Sequence, residues 1–435
     1  MVKRTITIRR IAKPFTVFAS VFVIFILLPT AYIAFSDYYS NRWYSLRFDE
    51  YRLSAMRSLA MTSLFFVCFS GGYLISSLNS SSSRKQKSKP LPSHRQEAYH
   101  GRRSGIKVIN PLNPSSYYIL KKHNFFYWMA LISIILVWLN FALGGYEKLS
   151  QFGQDISKME YRLIGFNDRN RILTAILQLA RRLTLPFCAI YFILIAAYSK
   201  NYSKVFIISV VFSLLVGIVI TLDRGPFMLF LVMFAYIFYC TSKNTFRIGI
   251  YGLVLVGIMI TLGGALTFIQ HNIQDFSFDE VLDTGNEFIV NRVIMAPNFV
   301  PIELSYGLFD FSSDKLWLKH ARITALFTGE YVGTLQDNSV YVSPVGAVAD
   351  IWRNTGLTGI ILIGIFIGFY FKAIEKLINY SDPIISVAAS FTVITLVFYF
   401  VYGTFFSQGV FLQMVFLYFI LKYVQSDGKI HCHLK

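Results

Sequence analysis

Apolar stretches of about 20 residues recur along this chain, and a water-soluble core cannot hide that many of them. The windows run roughly over 14–35, 55–78, 124–143, 183–199, 205–221, 226–240, 248–270, 344–371, 384–404 and 405–423. Composition agrees: 55% of the 435 residues are hydrophobic and 15% are charged, where a soluble chain carries roughly a quarter charged. Helices are the economical way to cross a bilayer, because every backbone hydrogen bond is closed within the segment. The windows therefore predict an all-α, polytopic transmembrane helical bundle of about ten helices, a single membrane domain over 1–435. The fifth and sixth windows are short enough to form a re-entrant hairpin, and the eighth is expected to bend near Thr355-Gly356.

The net charge of +18 would suggest nucleic acid in a soluble protein. Here basic loops that anchor a membrane protein on its cytoplasmic side account for it, so no nucleic-acid partner is expected. With the N-terminus inside and ten helices alternating, 24 of the 41 basic residues fall on the inner side. Only Glu97, Glu375, Asp382 and Asp427 join them there. That bias predicts both termini inside. Loop 79–123 is rich in Ser, Pro, Lys and Arg. It reads as a basic cytoplasmic loop touching anionic lipid head groups. The sequons at Asn79, Asn201 and Asn379 fall on the inner side too, away from any glycosylation machinery.

Segment 14–35 is too long for a signal-peptide core and lacks a small-residue cleavage pattern, so it reads as a retained helix. Cys68, Cys188, Cys240 and Cys432 show no spacing for a disulfide framework or a zinc site. His431-Cys432-His433 offers three metal donors on a tail and no fourth. No metal or cofactor is expected.

Two outward stretches are too rich in aromatics to read as linkers. One is 144–182, with Tyr146, Tyr161, Phe166 and five arginines; the other is 271–343, with ten carboxylates, Arg292 and Arg322. The sharpest local signal is Thr221-Leu222-Asp223-Arg224-Gly225-Pro226. Gly225 suits a tight turn and Pro226 the first turn of a helix. A helix N-terminus beside a guanidinium makes an anion site matched to phosphate; the plainer reading is an arginine that snorkels to the interface. Arg181, Arg182, Arg292, Arg322 and Arg353 extend the theme, since several guanidiniums can clamp a diphosphate. Each of them would otherwise be an ordinary loop salt bridge. The third signal runs from Asp337 through Ser343-Pro344-Val345-Gly346 to Asp350, Arg353 and Gly356-Leu357-Thr358-Gly359. Its small residues allow helices to approach closely. Asp350 and Arg353 share a helix face, either as a simple pair or as functional charges at the membrane boundary.

Over roughly 205–375 these residues resemble the Wzy-type oligosaccharide repeat-unit polymerases, which include O-antigen polymerases. Leu222-Asp223-Arg224-Gly225 occupies the family's arginine turn, with Asp223 where Gly or Thr is often found. Asn291-Arg292-Val293 with Pro297 matches the arginine that opens the helical part of the loop. Ser343-Pro344-Val345-Gly346 and the Gly356/Gly359 pair match the motif after it. The resemblance implies a GT-C-like bundle in the cytoplasmic (inner) membrane, multi-pass, with 271–343 as a large periplasmic loop. It implies a polyprenyl-diphosphate-linked oligosaccharide as substrate and a chain-length regulator and a flippase as partners beside the lipid bilayer. Arg224, Arg292 and Asp350 would carry the chemistry; Arg181, Arg182, Arg322, Arg353 and His320 would bind substrate. Asp350, Glu330 and His320 are the candidate bases for the acceptor hydroxyl. An O-antigen ligase-type glycosyltransferase shares this logic. A transporter or flippase is the competing class, and it would need polar groups along a path through the bilayer.

Overall fold

The computed structural model describes residues 8–36, 48–85, 107–109, 117–119, 124–145, 176–177, 179–196, 204–219, 224–270, 279, 282–283, 346–402, 405 and 408–433. The described residues are almost entirely helical. Among the described residues, five helices are long and apolar enough to cross a membrane: Pro14–Phe35, Arg52–Leu78, Asn124–Leu143, Ala347–Asn379 and Pro383–Val401. Shorter apolar helices cover Lys204–Gly217, Leu231–Thr241, Phe246–Ile258 and Val410–Val424. Each apolar window of the sequence overlaps a helix among the described residues.

In chain order α1 is Pro14–Phe35, α2 Phe48–Lys85, α3 Asn124–Asn140 and α4 the run Ala180–Thr184 with Leu185–Ala196. Then come α5 Lys204–Val219, α6 Arg224–Thr241, α7 Thr245–Gln270, α8 Ala347–Tyr380, α9 Pro383–Tyr402 and α10 Gln408–His433. Helix α2 continues past its apolar window into the basic loop. Within that loop β1 (Lys107–Ile109) and β2 (Tyr117–Ile119) pair antiparallel, with Val108 opposite Tyr118. Their β-branched and aromatic residues favour a pleated pair.

Local chemistry sets several helix ends. Pro14 opens α1 and Pro383 opens α9, where a missing N–H costs nothing. Asp382 caps α9: its Oδ1 accepts from the Ile384 N–H at 2.9 Å. Ser381 and Ser386 collect the last carbonyls of α8, bonding Leu377 and Ile378 at 2.7 Å each. Asn244 caps α7 in the same way, accepting from the Phe246 N–H at 2.9 Å.

Among the described residues three wider turns of π type occur, at Val23–Leu27 in α1, Phe141–Gly145 after α3 and Ala180–Thr184 in α4. The first and the last each end two residues before a proline, Pro29 and Pro186. A proline ring clashes with the carbonyl four residues earlier and has no N–H to offer it. That carbonyl belongs to Phe25 in α1 and to Arg182 in α4, the middle residue of each wide turn. Bonding five residues apart, as Leu28 N–H to the Val23 carbonyl and Leu185 N–H to the Ala180 carbonyl do, absorbs the conflict.

Helix α9 is the centre of the bundle. Its apolar window is 83% buried, against 22–39% for the other four long helices. Around it stand Phe18, Phe69, Phe371 and Phe400 from α1, α2, α8 and α9, with ring centres 4.2–5.8 Å apart. A second aromatic set joins α3, α4 and α5: Phe126 to Tyr191 at 4.6 Å, and Tyr127 to Phe206 at 4.5 Å. The outer surface is apolar, with Val205, Leu253, Phe246 and Val67 well exposed. An apolar girdle of that extent suits lipid rather than water.

Helices α2 and α8 run parallel in close contact. A Cβ on Gly364 would stand 2.9 Å from the Cys68 Cβ, and one on Gly368 would stand 2.6 Å from the Tyr73 nitrogen. Gly364 and Gly368 are four residues apart on one face, the spacing that lets membrane helices bring their backbones together.

Candidate functional site

The helix pairings sort the bundle into two ends. Arg9 N–H bonds the Cys240 carbonyl at 2.8 Å, joining the start of α1 to the end of α6. Phe15 stacks on Tyr73 at 4.3 Å, and Phe125 meets Tyr423 at 5.0 Å. One end therefore carries Lys13, Lys204, Lys243, Arg247, Lys376 and Lys422, all exposed. This is the set that the charge rule assigns to the inside. The starts of α6 and α8 and the wide turn of α4 lie toward the other end.

At that other end Arg181 and Arg182 sit in the wide turn of α4. Arg181 is buried, 6% exposed, and its Cγ would lie 3.0 Å from a Cβ on Gly217 of α5. The arginine stem therefore fills the space that the glycine leaves. Arg182 is half-buried; its Cζ lies 5.2 Å from the centre of the Tyr399 ring on α9. An arginine over an aromatic face gains a cation–π attraction and keeps its N–H edge for hydrogen bonding. The Arg182 Nε is buried and bonds no described residue. Beside the pair, Thr184 and Ser133 share a hydrogen bond of 2.6 Å between α4 and α3. The sequence pointed to both arginines but gave no sign of Tyr399 or Gly217 as their neighbours.

Asp350 lies in the first turn of α8, 4% exposed. Asn354, one turn on and 3% exposed, donates to the Asp350 carbonyl at 2.9 Å and to its Oδ1 at 3.1 Å. Residues Ala347 to Trp352 are buried on all sides, so this first segment of α8 is enclosed by protein. The segment ends at Gly356, whose φ of 65° and ψ of −159° break the helix. Only glycine adopts that backbone readily. The expected bend is thus a break, with a buried segment before it and the exposed Leu357 and Thr358 after it. Arg353 on the same segment is half-buried.

Arg224 is the first residue of α6, which places Pro226 in the first turn as the sequence predicted. The side chain of Arg224 lies outside the described residues, and so do Arg292, His320, Arg322 and Glu330.

The opposite end holds a polar cluster that sequence reading missed. The Tyr73 hydroxyl donates to the Glu375 carboxylate, bridging α2 and α8. Lys372 Nζ lies 3.4 Å from Glu375 Oε1 and 4.7 Å from the centre of the Tyr73 ring. Lys372 and Glu375 read as loop charges because the apolar window ends at 371. The helix continues to Tyr380 and carries them into contact with α2.

Compared with models of known protein families, with curated proteins and with solved structures, the chain matches none.

Proposed function

We propose that the chain is a polysaccharide repeat-unit polymerase of the cytoplasmic membrane, a multi-pass glycosyltransferase. It would transfer a growing glycan from its polyprenyl diphosphate carrier to a lipid-linked repeat unit at the outer face. The observation that carries this reading is the arginine pair in the wide turn of α4. Arg181 is held inside the bundle against Gly217, and Arg182 lies over Tyr399, in the half opposite the basic rim. Ionisable side chains inside a membrane bundle are costly and usually functional.

The chemistry fits a displacement at the anomeric carbon. The acceptor hydroxyl gives its proton to the Asp350 carboxylate as its oxygen forms the new C–O bond. The bond from the anomeric carbon to the diphosphate oxygen breaks, and the lipid diphosphate leaves with the electron pair. Guanidiniums at Arg181, Arg182 and Arg224 would stabilise the charge that develops on that leaving group. Asn354 orients the carboxylate. A flippase that delivers the units and a chain-length regulator are the partners this reaction requires.

Deleting the gene and resolving surface polysaccharide on a gel tests the reading. Single capped units in place of a ladder are expected. Long lipid-linked polymer that is never transferred would show a ligase instead, and units trapped inside would show a flippase. Arg224→Ala is expected to abolish the ladder while the protein still inserts; a wild-type ladder removes Arg224 from the site.

A further inference from the structure

Arg182 combines three features. It occupies a turn distorted by Pro186, so the helix holds it where regular geometry would not. Its guanidinium Cζ lies over the Tyr399 ring, 5.2 Å from the ring centre. Its Nε is buried yet bonds no described residue. A buried N–H without an acceptor is costly, and on a guanidinium held beside an aromatic ring it is a donor open to a ligand. Arg182 and Tyr399 are each half-buried, so the pair is not sealed within the core. Phosphate and diphosphate esters carry paired oxygens that match the fork of a guanidinium.

We infer that Tyr399 is a positioning residue that holds Arg182 over its ring, so that the N–H edge of the guanidinium binds a phosphate-type anion between α4 and α9. The inference deepens the polymerase reading, on which it rests for the lipid carrier as the source of that anion. The working part of Tyr399 is the ring face rather than the hydroxyl.

The test uses the purified full chain in nanodiscs of zwitterionic lipid. The probes are a polyprenyl diphosphate, the neutral polyprenol and inorganic pyrophosphate, and dissociation constants come from the ligand-induced shift in melting temperature. Polyprenyl diphosphate should bind the wild type and Tyr399→Phe equally. It should bind Tyr399→Leu and Arg182→Gln about tenfold more weakly. Pyrophosphate binding with the same dependence would show that the head group suffices; binding of the lipid alone would show that the chain contributes. The inference is overturned if neither anion binds, if the polyprenol binds equally well, if Tyr399→Leu matches the wild type, or if Tyr399→Phe is as weak as Tyr399→Leu. Should Tyr399→Leu fail to give a monodisperse protein, Tyr399→Trp decides: it keeps an aromatic face and must keep affinity. Anion binding intact with an unchanged ladder in the deletion strain sinks the polymerase reading alone. A lost ladder with binding indifferent to Tyr399 sinks this inference alone.

Discussion

The backbone of α2 at Gly72 lies directly against the carbonyl of Ile365 on α8, with no room for a β-carbon between them. Gly71, the preceding residue, has nothing within 4 Å of where its β-carbon would be. The two neighbours should therefore respond oppositely to the same change. Gly72→Ala must push two backbones apart and should destabilise by about 1–3 kcal/mol. Gly71→Ala meets no obstacle and gains helix propensity, up to about 1 kcal/mol. Melting temperatures of the two variants in detergent settle it, and equal shifts would show that α2 and α8 do not pack at Gly72.

The break in α8 depends on Gly356. A β-carbon there meets nothing within 4 Å, so crowding by neighbours is no obstacle. The obstacle is the backbone, at φ 65° and ψ −159°. Gly356→Ala should cost about 1–3 kcal/mol if the break is kept. If α8 straightens instead, the enclosed segment with Asp350 and Asn354 is displaced and ladder formation fails. A variant with wild-type stability and a wild-type ladder would show that the break is not needed.

How far such features were legible before the structure follows from their range. The bend at Gly356 could be read because glycines interrupt an apolar run. The helices could be read because the bilayer fixes a length of about 20 apolar residues. The Gly364/Gly368 spacing was visible, but nothing local says that Gly72, almost three hundred residues earlier, is what it packs on. Tyr399 was one of 27 tyrosines and had no local mark. Lys372 and Glu375 were misplaced by a window that stops where hydropathy drops, although the helix continues to Tyr380. Of the chemical candidates, Arg181 and Asp350 are buried and Arg182 is half-buried, in the half of the bundle away from the basic rim.

Asp382 gives the fold a pH dependence at the turn between α8 and α9. Burial pushes its carboxyl from 3.8 up to about 6, and bonds from the Ile384 and Ile385 N–H groups pull the other way. The folded chain therefore holds this proton more tightly than the unfolded chain does. The stability this contributes is fully present below pH 3.8 and is lost as pH rises through about 6. Asp382→Asn keeps a capping acceptor and removes the titration. Between about pH 4 and about pH 7 the wild-type melting temperature should fall relative to the Asn variant. Curves that stay parallel over that range would exclude Asp382 as the titrating group.

Pro186 is the residue that a stability screen would discard and that the proposed function needs. It costs α4 one backbone hydrogen bond and forces the wide turn around Arg182, and a proline inside a regular helix costs about 3 kcal/mol. Pro186→Ala should let the turn close to 3.6 residues. The protein should then melt higher than the wild type. The same closure turns the preceding residues by about 100° relative to the rest of α4. That rotation carries Arg182 away from Tyr399 and Arg181 away from Gly217. Polyprenyl diphosphate should then bind about tenfold more weakly, the same loss expected for Tyr399→Leu. The ladder should shorten or vanish in a protein that is more stable. Lower stability together with unchanged binding would mean that the wide turn is set by packing rather than by the proline.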